Sequence, residues 1–549
     1  MDRTTSQNLE SRSVAKATGI VGAMTLASRI LGMLRDMVIA SSFGASLVSD
    51  AFFVAFRIPN FLRRVVAEGS LATAFVPVFT DELHRSQEAA RKTWGSALAL
   101  TLLITLPLTL AGFYYADTVV NFMAPGFGVG SEKSELASSL LIVMLPYAVL
   151  VSIIALAASG LNALGSFALP SLPSILLNIA MIGSILLGGH LFVRPVFSLA
   201  AGVVFGGVVA TVLLLLEMRS KGFPLRLGMP WGSEGSRRLF RLFLPALISS
   251  SLYQVIVFIN SFLASTLEEG SISWLYYAER MFQFPLGVFA LALSTAALPR
   301  LSVLASRGND AEMSRELCLF LSWITVLTVP AAFALIGFAE PITSLMYERG
   351  SFGADSTLQT AAALSCFSVG LWTISAHSVV VRAFLAKKNS TIPSIVSIAA
   401  ILLNIAFALM LMGPTRPIAG GGFFGLISEV QARLAIFSFG HSGIALAASL
   451  SSFFSFYALI AFLPRVGLQC YFEDIMPPII KSFIASMFML ALLKGLMLLN
   501  MPRLLECLIG IPLGAIVYFI AAHLLRLPHT AQAIEVIQEW RAGRRELLP

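Results

Sequence analysis

The sequence VFSLAAGVVFGGVVATVLLLL occupies residues 196–216 and contains no charged side chain. A helix of this length, at about 1.5 Å rise per residue, spans the roughly 30 Å hydrocarbon core of a bilayer. Similar apolar runs recur along nearly the whole chain of 549 residues, of which 57% are hydrophobic and only 12% charged. Soluble domains carry about 25% charged residues, so this is the sequence of a multi-pass membrane protein.

Fourteen apolar segments are long enough to span the membrane, which predicts an all-α polytopic fold. Their approximate bounds are 18–42, 48–79, 93–116, 137–160, 168–190, 195–217, 241–265, 273–299, 317–338, 357–385, 393–413, 441–463, 477–499 and 504–525. The termini and alternate connections hold 22 Lys and Arg when Arg241 is included, whereas the other connections hold 6. The positive-inside rule therefore predicts that both termini are cytoplasmic.

Composition and motifs exclude several classes of function. The net charge of +8 does not indicate nucleic-acid binding, because the basic residues lie mainly in short connections between apolar segments. No nucleophile elbow, phosphate loop or zinc motif is present, so we expect no enzyme, no cofactor and no metal site. Four cysteines fall singly in or beside apolar segments and are predicted to be small buried side chains: Cys318, Cys366, Cys470 and Cys507.

The chain contains an internal repeat. LPSI at 172–175 matches IPSI at 392–395, and residues 57–77 resemble 280–299, at offsets of 220 to 223. Six spans separate the copies, and an even number keeps the topology, so the repeat is parallel. This predicts two pseudo-symmetric six-helix lobes around a central cavity, followed by two C-terminal helices.

The repeat also predicts the organisation of the chain. The segments are a cytoplasmic N-terminus (1–17), an N-lobe (18–217), a basic cytoplasmic linker (218–240), a C-lobe (241–463) with an external insertion at about 414–440, two further spans (477–525) and a cytoplasmic tail (526–549). The linker is expected to attract anionic lipid. Within the insertion, the apolar majority of residues 423–439 predicts a short helix lying at the membrane interface.

Charged side chains inside spans 1, 2 and 8 are the strongest functional signal, because a charge at the bilayer centre costs at least about 2.5 kcal/mol. They are Arg29, Arg35, Asp36, Asp50, Arg57, Arg63, Arg64, Glu68, Glu279 and Arg280. Asp50, Arg57, Arg64 and Glu68 recur at intervals of 7, 7 and 4, which places them on one face of span 2. We expect this face to line a hydrated cavity, with Pro59 kinking or interrupting the helix.

Two interpretations of these charges remain open on the residues alone. Arginines can neutralise neighbouring carboxylates. For Asp36, Asp50 and Glu279, this ion-pair role and a functional role are equally expected. Alternatively, an arginine-lined cavity suits a phosphate-bearing anion, because the planar guanidinium offers a fork of donors and stays charged.

Several stretches resemble the MurJ/MviN family. They are SRILG (28–32), LRD (34–36), SDAFFVAFRIPN (49–60), LRR (62–64), AEG (67–69), AFVP (74–77), YYAER (276–280), FPLGV (284–288) and ERGSF (348–352). The similarity covers nearly the whole chain and preserves the order of the motifs. It implies a flippase for lipid II, the undecaprenyl-diphosphate-linked muropeptide of peptidoglycan synthesis, in the multidrug/oligosaccharidyl-lipid/polysaccharide exporter superfamily. It also implies the bacterial cytoplasmic (inner) membrane, with membrane lipids and cell-wall synthesis proteins as further partners.

The resemblance also implies a binding site. Family arginines that match four positions here face the central cavity, and three of them are proposed to hold the diphosphate: Arg29, Arg35, Arg63 and Arg280. Further positions that match functional ones are Ser28, Asp50, Asn60 and Glu68. Arg57 stands where relatives often have lysine, and with Arg64 it completes the supporting set. The last two helices are expected to take the lipid tail.

The chain differs from the family pattern at the positions that bind sodium in some relatives, and two alternative functions remain open. Some relatives bind sodium through carboxylates in spans 7 and 11, where this chain has Asn260 and Asn404 and no carboxylate in span 11. One rival is an exporter of another polyprenyl-linked glycan or a drug. The other is a non-transporting cell-wall scaffold, which would be expected to have lost the cavity arginines.

Overall fold

The computed structural model describes residues 3–62, 72–232, 234–414, 429, 431–499 and 501–527. Within those ranges the chain is helical apart from its connections, and no β-strand occurs. The helices are α1 (Arg3–Phe43), α2 (Leu47–Leu62), α3 (Ala72–Arg85), α4 (Gln87–Tyr114), α5 (Ala116–Met123), α6 (Glu132–Met144), α7 (Pro146–Ala163), α8 (Pro173–Gly188), α9 (Val196–Ser220), α10 (Glu234–Ser265), α11 (Ser271–Pro285), α12 (Leu291–Ser306), α13 (Asp310–Gly337), α14 (Ala339–Tyr347), α15 (Ala354–Val369), α16 (Leu371–Ala386), α17 (Thr391–Leu411), α18 (Gly440–Phe462), α19 (Phe472–Met497) and α20 (Arg503–Leu524).

Each of the fourteen predicted spans coincides with a helix or a consecutive pair of helices. The fourth and tenth spans are each divided into two helices, and a π-helical turn at Leu286–Ala290 joins α11 to α12. In the second span, α2 and α3 flank residues 63–71, which lie outside the described residues. By length and composition, ten of the described helices can cross a membrane, or eleven when the pair α15 and α16, bent by 41°, counts as one span. The all-α polytopic class is confirmed.

The order of helices repeats along the chain. Long α4 and α13 have 28 residues each, and each is followed by a short helix, α5 of 8 residues and α14 of 9. A divided span then follows in both halves, α6 with α7 and α15 with α16. The matching motifs begin the next helices, with Pro173 opening α8 and Pro393 in the first turn of α17. This order agrees with a parallel repeat, while the exact lobe boundaries stay a prediction.

The described chain divides into two compact units. The first comprises Met1–Ser273 with Arg349–Phe352. Its core is packed from α3, α4, α7 and α9, and the largest buried side chains there are aromatic, including Phe75, Phe79 and Trp94. The indole of Trp94 donates to the carbonyl of Pro224 at 3.2 Å, so the basic linker is fastened to the start of α4.

The second unit comprises Trp274–Glu348 and the remaining described residues from Gly353 onward. One core packs α12, α13, α16 and α18, where Trp372 donates to Thr325 at 2.9 Å. A second core holds α19 and α20 against α13 and α14. There the hydroxyl of Tyr518 donates to the carbonyl of Val326 at 2.8 Å, which ties the last helix to α13.

The external insertion is described only in part. Residues 415–428 and 430, which include most of the predicted interfacial helix, lie outside the described residues. A helical turn occurs at 431–434, and the chain then runs without helix to 439. The amides of Ile436 and Phe439 donate to carbonyls of Met410 and Leu411 at the end of α17, so this part packs on α17.

Glycines let α8 and α9 approach closely. Gly202 and Gly206 are four residues apart on one face of α9. A Cβ on Gly202 would lie 2.7 Å from Cβ of Ser184, and one on Gly206 would lie 3.0 Å from Cα of Leu177. The small-xxx-small pattern of α9 is therefore a helix-packing surface here.

We expect Gly202→Ala to lower the free energy of unfolding by about 1–3 kcal/mol, because the added methyl overpacks the contact between α8 and α9. Gly183→Ala on α8 is the matched control, since nothing lies within 4 Å of its added Cβ. The control should be neutral, or more stable by up to about 1 kcal/mol through helix propensity. Thermal unfolding in detergent measures both. Equal melting temperatures for the two variants would contradict the packing argument.

Candidate functional site

Arg35 lies in α1 with only 7% of its surface exposed. Its Nε and Nη2 donate to Oδ1 of Asp36 at 3.0 and 2.6 Å, and its Nη1 donates to Oδ1 of Asn178 on α8 at 3.0 Å. The amide of Asn178 donates in turn to the carbonyl of Ser28 at 3.2 Å. We call these four residues the Arg35 cluster. Asn178, a neutral residue on α8, thus orients the guanidinium of Arg35, and the neighbouring Asp36 carboxylate pairs with its charge.

Arg29 lies two turns earlier on α1 and is exposed, while Ser28 is half-buried. On a membrane-spanning helix an exposed guanidinium requires water, a polar headgroup or an anionic partner. Arg29 and Arg35 therefore differ in what they can do. Among the described residues no hydrogen bond or ion pair to Arg29 is seen, so Arg29 can meet an anion without giving one up there, whereas Arg35 must exchange its bond to Asp36.

Asp50 is a buried carboxylate at the start of α2, with 1% of its surface exposed. Lys133 of the α5–α6 region donates its Nζ to Oδ2 at 2.7 Å, and the amide of Gly270 donates to the same oxygen at 2.9 Å. The amide and hydroxyl of Ser273 donate to Oδ1 at 2.9 and 2.6 Å. These residues form the Asp50 cluster. Its carboxylate holds the first turn of α11, where the partial positive charge of a helix N-terminus favours an anion.

The rest of the predicted stripe on span 2 is only partly described. Nη1 of Arg57 donates to the carbonyl of Val257 on α10 at 3.3 Å, and Asn60 is half-buried. Arg63, Arg64 and Glu68 lie outside the described residues. Pro59 is buried inside α2, which is described as helix to Leu62, so the helix is not interrupted at this residue, and a kink there stays a prediction.

Arg280 lies on α11 and is half-buried. Its Nη2 donates to the hydroxyl oxygen of Tyr276 at 3.0 Å, and its guanidinium carbon lies 4.8 Å from the centre of the Tyr276 ring. Tyr276 precedes it by one helical turn and fixes its direction by hydrogen bonding and cation–π attraction. Gln283 similarly donates to Glu279 at 2.8 Å. The helix that Asp50 holds at its first turn therefore carries an oriented arginine two turns later.

The structure resolves the two interpretations for two carboxylates. Asp36 and Asp50 are each in a buried ion pair, and neutralisation by an arginine is confirmed for Asp36. Within the described residues, the ion pair of Asp50 is with Lys133 in the first turn of α6 and not with an arginine of the predicted spans. The distances show ion pairing and do not test the binding of a phosphate by Arg29, Arg35, Arg63 or Arg280.

Two residues of these clusters were missed by the sequence analysis. Asn178 is the lone amide in the apolar α8, and Lys133 is the one basic residue between spans 3 and 4. The available signal for Asn178 was a polar residue inside an apolar helix. For Lys133 it was a single basic residue in an otherwise acidic or neutral connection. Neither signal names its partner, since Arg35 and Asn178 are 143 positions apart.

Asn404 lies in α17 with 1% of its surface exposed, and no described group hydrogen-bonds to its amide. A neutral amide supplies one oxygen to a cation but no charge, while hard cations favour carboxylate oxygens. This residue does not fit a sodium site of the carboxylate type.

A family model described as lipid II flippase MurJ matches residues 39–509. The chain belongs to the MurJ family. A probable lipid II flippase MurJ of Buchnera aphidicola subsp. Schizaphis graminum is 31% identical over 529 residues, covering 93% of this chain and 97% of that relative. The lipid II flippase MurJ of Burkholderia cenocepacia is 34% identical and covers 70% of this chain and 75% of that relative.

Solved structures give the same result for the fold. A lipid II flippase MurJ in an inward closed conformation matches with a TM-score of 0.74 at 26% identity, over 92% of this chain and 98% of that chain. An inward-facing multidrug resistance MATE family transporter of the MOP superfamily matches with a TM-score of 0.64 at 15% identity, over 80% and 94%. This chain thus shares its fold with the MATE transporters, while membership of the superfamily stays a prediction.

Proposed function

We propose that this protein flips lipid II from the inner to the outer leaflet of the bacterial cytoplasmic membrane by alternating access, with arginines binding the diphosphate. The observation that carries the proposal is similarity over most of the chain to relatives named as lipid II flippases, together with arginines placed inside the spans. The protein acts as a transporter and makes or breaks no covalent bond.

The Arg35 cluster supports an exchange of anions. Arg35 already binds the Asp36 carboxylate through two donors, so its guanidinium is oriented toward an oxygen anion before substrate arrives. A diphosphate would compete with Asp36 for these donors, so its binding would break the ion pair that Arg35 already makes. Binding is thereby kept weaker than for an unpaired arginine, which favours release of the substrate at the outer face.

Arg280 supports a second contact with the diphosphate. Its contact with Tyr276 leaves the cation pre-oriented, which reduces the ordering cost when an anion binds. Several guanidinium contacts are needed because a doubly charged diphosphate loses much hydration on entering a cavity. In the proposed clamp Arg35, Arg63 and Arg280 bind the diphosphate and Arg29 assists.

The lipid tail is assigned to α19 and α20. Both helices expose large apolar side chains, among them Phe483, Phe488, Ile509 and Ile516. Their other faces are anchored on α13 by Tyr518 and the second core, so they offer a fixed apolar surface to a polyprenyl chain. Alternating access is supported by related MATE transporters solved in inward-facing and outward-facing conformations, with TM-scores of 0.64 and 0.51.

The test replaces a host's own flippase with this protein and measures lipid II that is accessible to a degrading enzyme added outside the cell. Expression of this chain should sustain accessibility at the level of the host's own flippase, and its depletion should collapse accessibility. Lipid II that reaches the outer face at the normal rate after depletion would overturn the proposal. In that case export of another polyprenyl-linked glycan or drug, or a scaffold role, takes its place.

A further inference from the structure

Two of the four cysteines, separated by 152 positions, meet in the second unit. Cys318 lies in α13, and Cys470 lies in the connection between α18 and α19. Their sulfur atoms are 2.7 Å apart, and both side chains are half-buried, so small reagents can reach them. A disulfide bond has an S–S distance of about 2.05 Å, so the two sulfurs need to move by less than 1 Å to bond.

The backbone around Cys470 is fixed on α13 by contacts on both sides. The amide of Gln469 donates to the hydroxyl of Ser314, one turn before Cys318, at 3.1 Å. Leu468 is fully buried in the core formed with α13. Gly467 has φ +79 and lies so close to Asp310 that a Cβ would be 2.6 Å from the carboxylate. The sulfur contact therefore follows from the packing of the whole connection.

We propose that Cys318 and Cys470 form an oxidation site, which takes a two-electron oxidant such as hydrogen peroxide and closes a reversible disulfide. One thiolate attacks the peroxide, breaks its O–O bond and becomes a sulfenic acid while hydroxide leaves. The second thiol then attacks that sulfur, forms the S–S bond and expels water. Overall two thiols and one peroxide give one disulfide and two waters, and a dithiol reductant reverses the change.

The position explains why the resting state is the dithiol. The charge distribution predicts that the connection between α18 and α19 is cytoplasmic, where thiols are kept reduced. Under oxidant the disulfide would join α13 covalently to the residue two positions before α19. The proposal uses none of the arginines of the clamp, so the inference does not rest on the proposed transport activity.

The experiment treats the full chain in membranes with hydrogen peroxide, blocks remaining thiols with N-ethylmaleimide, unfolds the protein and cuts it at a protease site introduced at residues 415–428. Cys318 and Cys366 then lie on one fragment, and Cys470 and Cys507 on the other. The fragments should migrate together on a non-reducing gel and separate after dithiothreitol. Non-reducing peptide mass spectrometry of the unmodified chain should find Cys318 joined to Cys470.

Matched variants decide which cysteines are joined. Cys366→Ser with Cys507→Ser should keep the fragments linked, whereas Cys318→Ser or Cys470→Ser should release them. Equal melting temperatures under reducing conditions show that each single variant is folded. Fragments that stay linked in Cys470→Ser, or fragments that separate although peroxide has consumed both thiols, would overturn the proposal.

Discussion

Asp50→Ala will lower the free energy of unfolding by about 3–5 kcal/mol, because it removes one partner of a buried ion pair. The change leaves Lys133, only 15% exposed, without its carboxylate, and it removes the acceptor for the amides of Gly270 and Ser273. The first turn of α11 loses its anchor at the same time. Thermal or denaturant unfolding in detergent measures the loss.

The chain offers a matched control in Asp81. Its carboxylate pairs with Arg238 at 2.9 Å, but both side chains are about half exposed. Water and salt screen such a pair, so Asp81→Ala should cost at most about 1 kcal/mol. If Asp50→Ala unfolded in the same range as Asp81→Ala, the Asp50 cluster would have no special structural role.

A double-mutant cycle separates the ion pair from the helix anchor. Asp50→Ala with Lys133→Ala should be less destabilised than the sum of the single variants, since neither charge is then left alone. The stability that the double variant still loses measures the contribution of the hydrogen bonds from the amides of Gly270 and Ser273 to Asp50. Asp50→Asn should lie between the wild type and Asp50→Ala, because its amide oxygen still accepts hydrogen bonds but carries no charge.

Arg280→Ala will reduce the appearance of lipid II at the outer face by about tenfold to a hundredfold. A hydrogen bond to a charged group contributes about 1.5–3 kcal/mol, and about 1.4 kcal/mol corresponds to a factor of ten. The transport rate of Arg280→Lys should lie between those of the wild type and Arg280→Ala, because lysine keeps the charge but lacks the planar fork of donors. The lipid II accessibility measurement applies, corrected for the amount of each variant in the membrane.

The control for charge alone is Arg307→Ala, an exposed residue in the connection between α12 and α13. It should transport at the wild-type rate. Transport by Arg280→Ala at the rate of this control would remove Arg280 from the proposed clamp, and normal transport by Arg35→Ala and Arg63→Ala as well would remove the clamp itself.

Arg35 needs a paired design, because Arg35→Ala also breaks the ion pair that Arg35 makes with Asp36, which is only 2% exposed. The double variant Arg35→Ala with Asp36→Ala removes both charges of the pair. It should recover most of the stability that the single variant loses, while transport stays impaired. Recovery of transport together with stability would show that Arg35 has a structural role only.

The sequence by itself determined the class of protein, and it predicted fourteen spans and a repeat. Backbone polar groups in a bilayer must be satisfied within the chain, so a long apolar run such as 196–216 has few alternatives to a helix. The motifs around Arg35 and Arg280 indicated the family, which the comparisons confirmed. The role of Arg63 and its neighbours in binding diphosphate stays a prediction.

Only the tertiary structure decided which side chains meet. Asn178 reaches Arg35 across 143 positions, Ser273 reaches Asp50 across 223, and the sulfurs of Cys318 and Cys470 meet across 152. Apolar periodicity states how deeply a residue is buried and says nothing of its partner on another helix. Such pairs depend on how helices pack and on where each connection ends, and both are set by the whole chain.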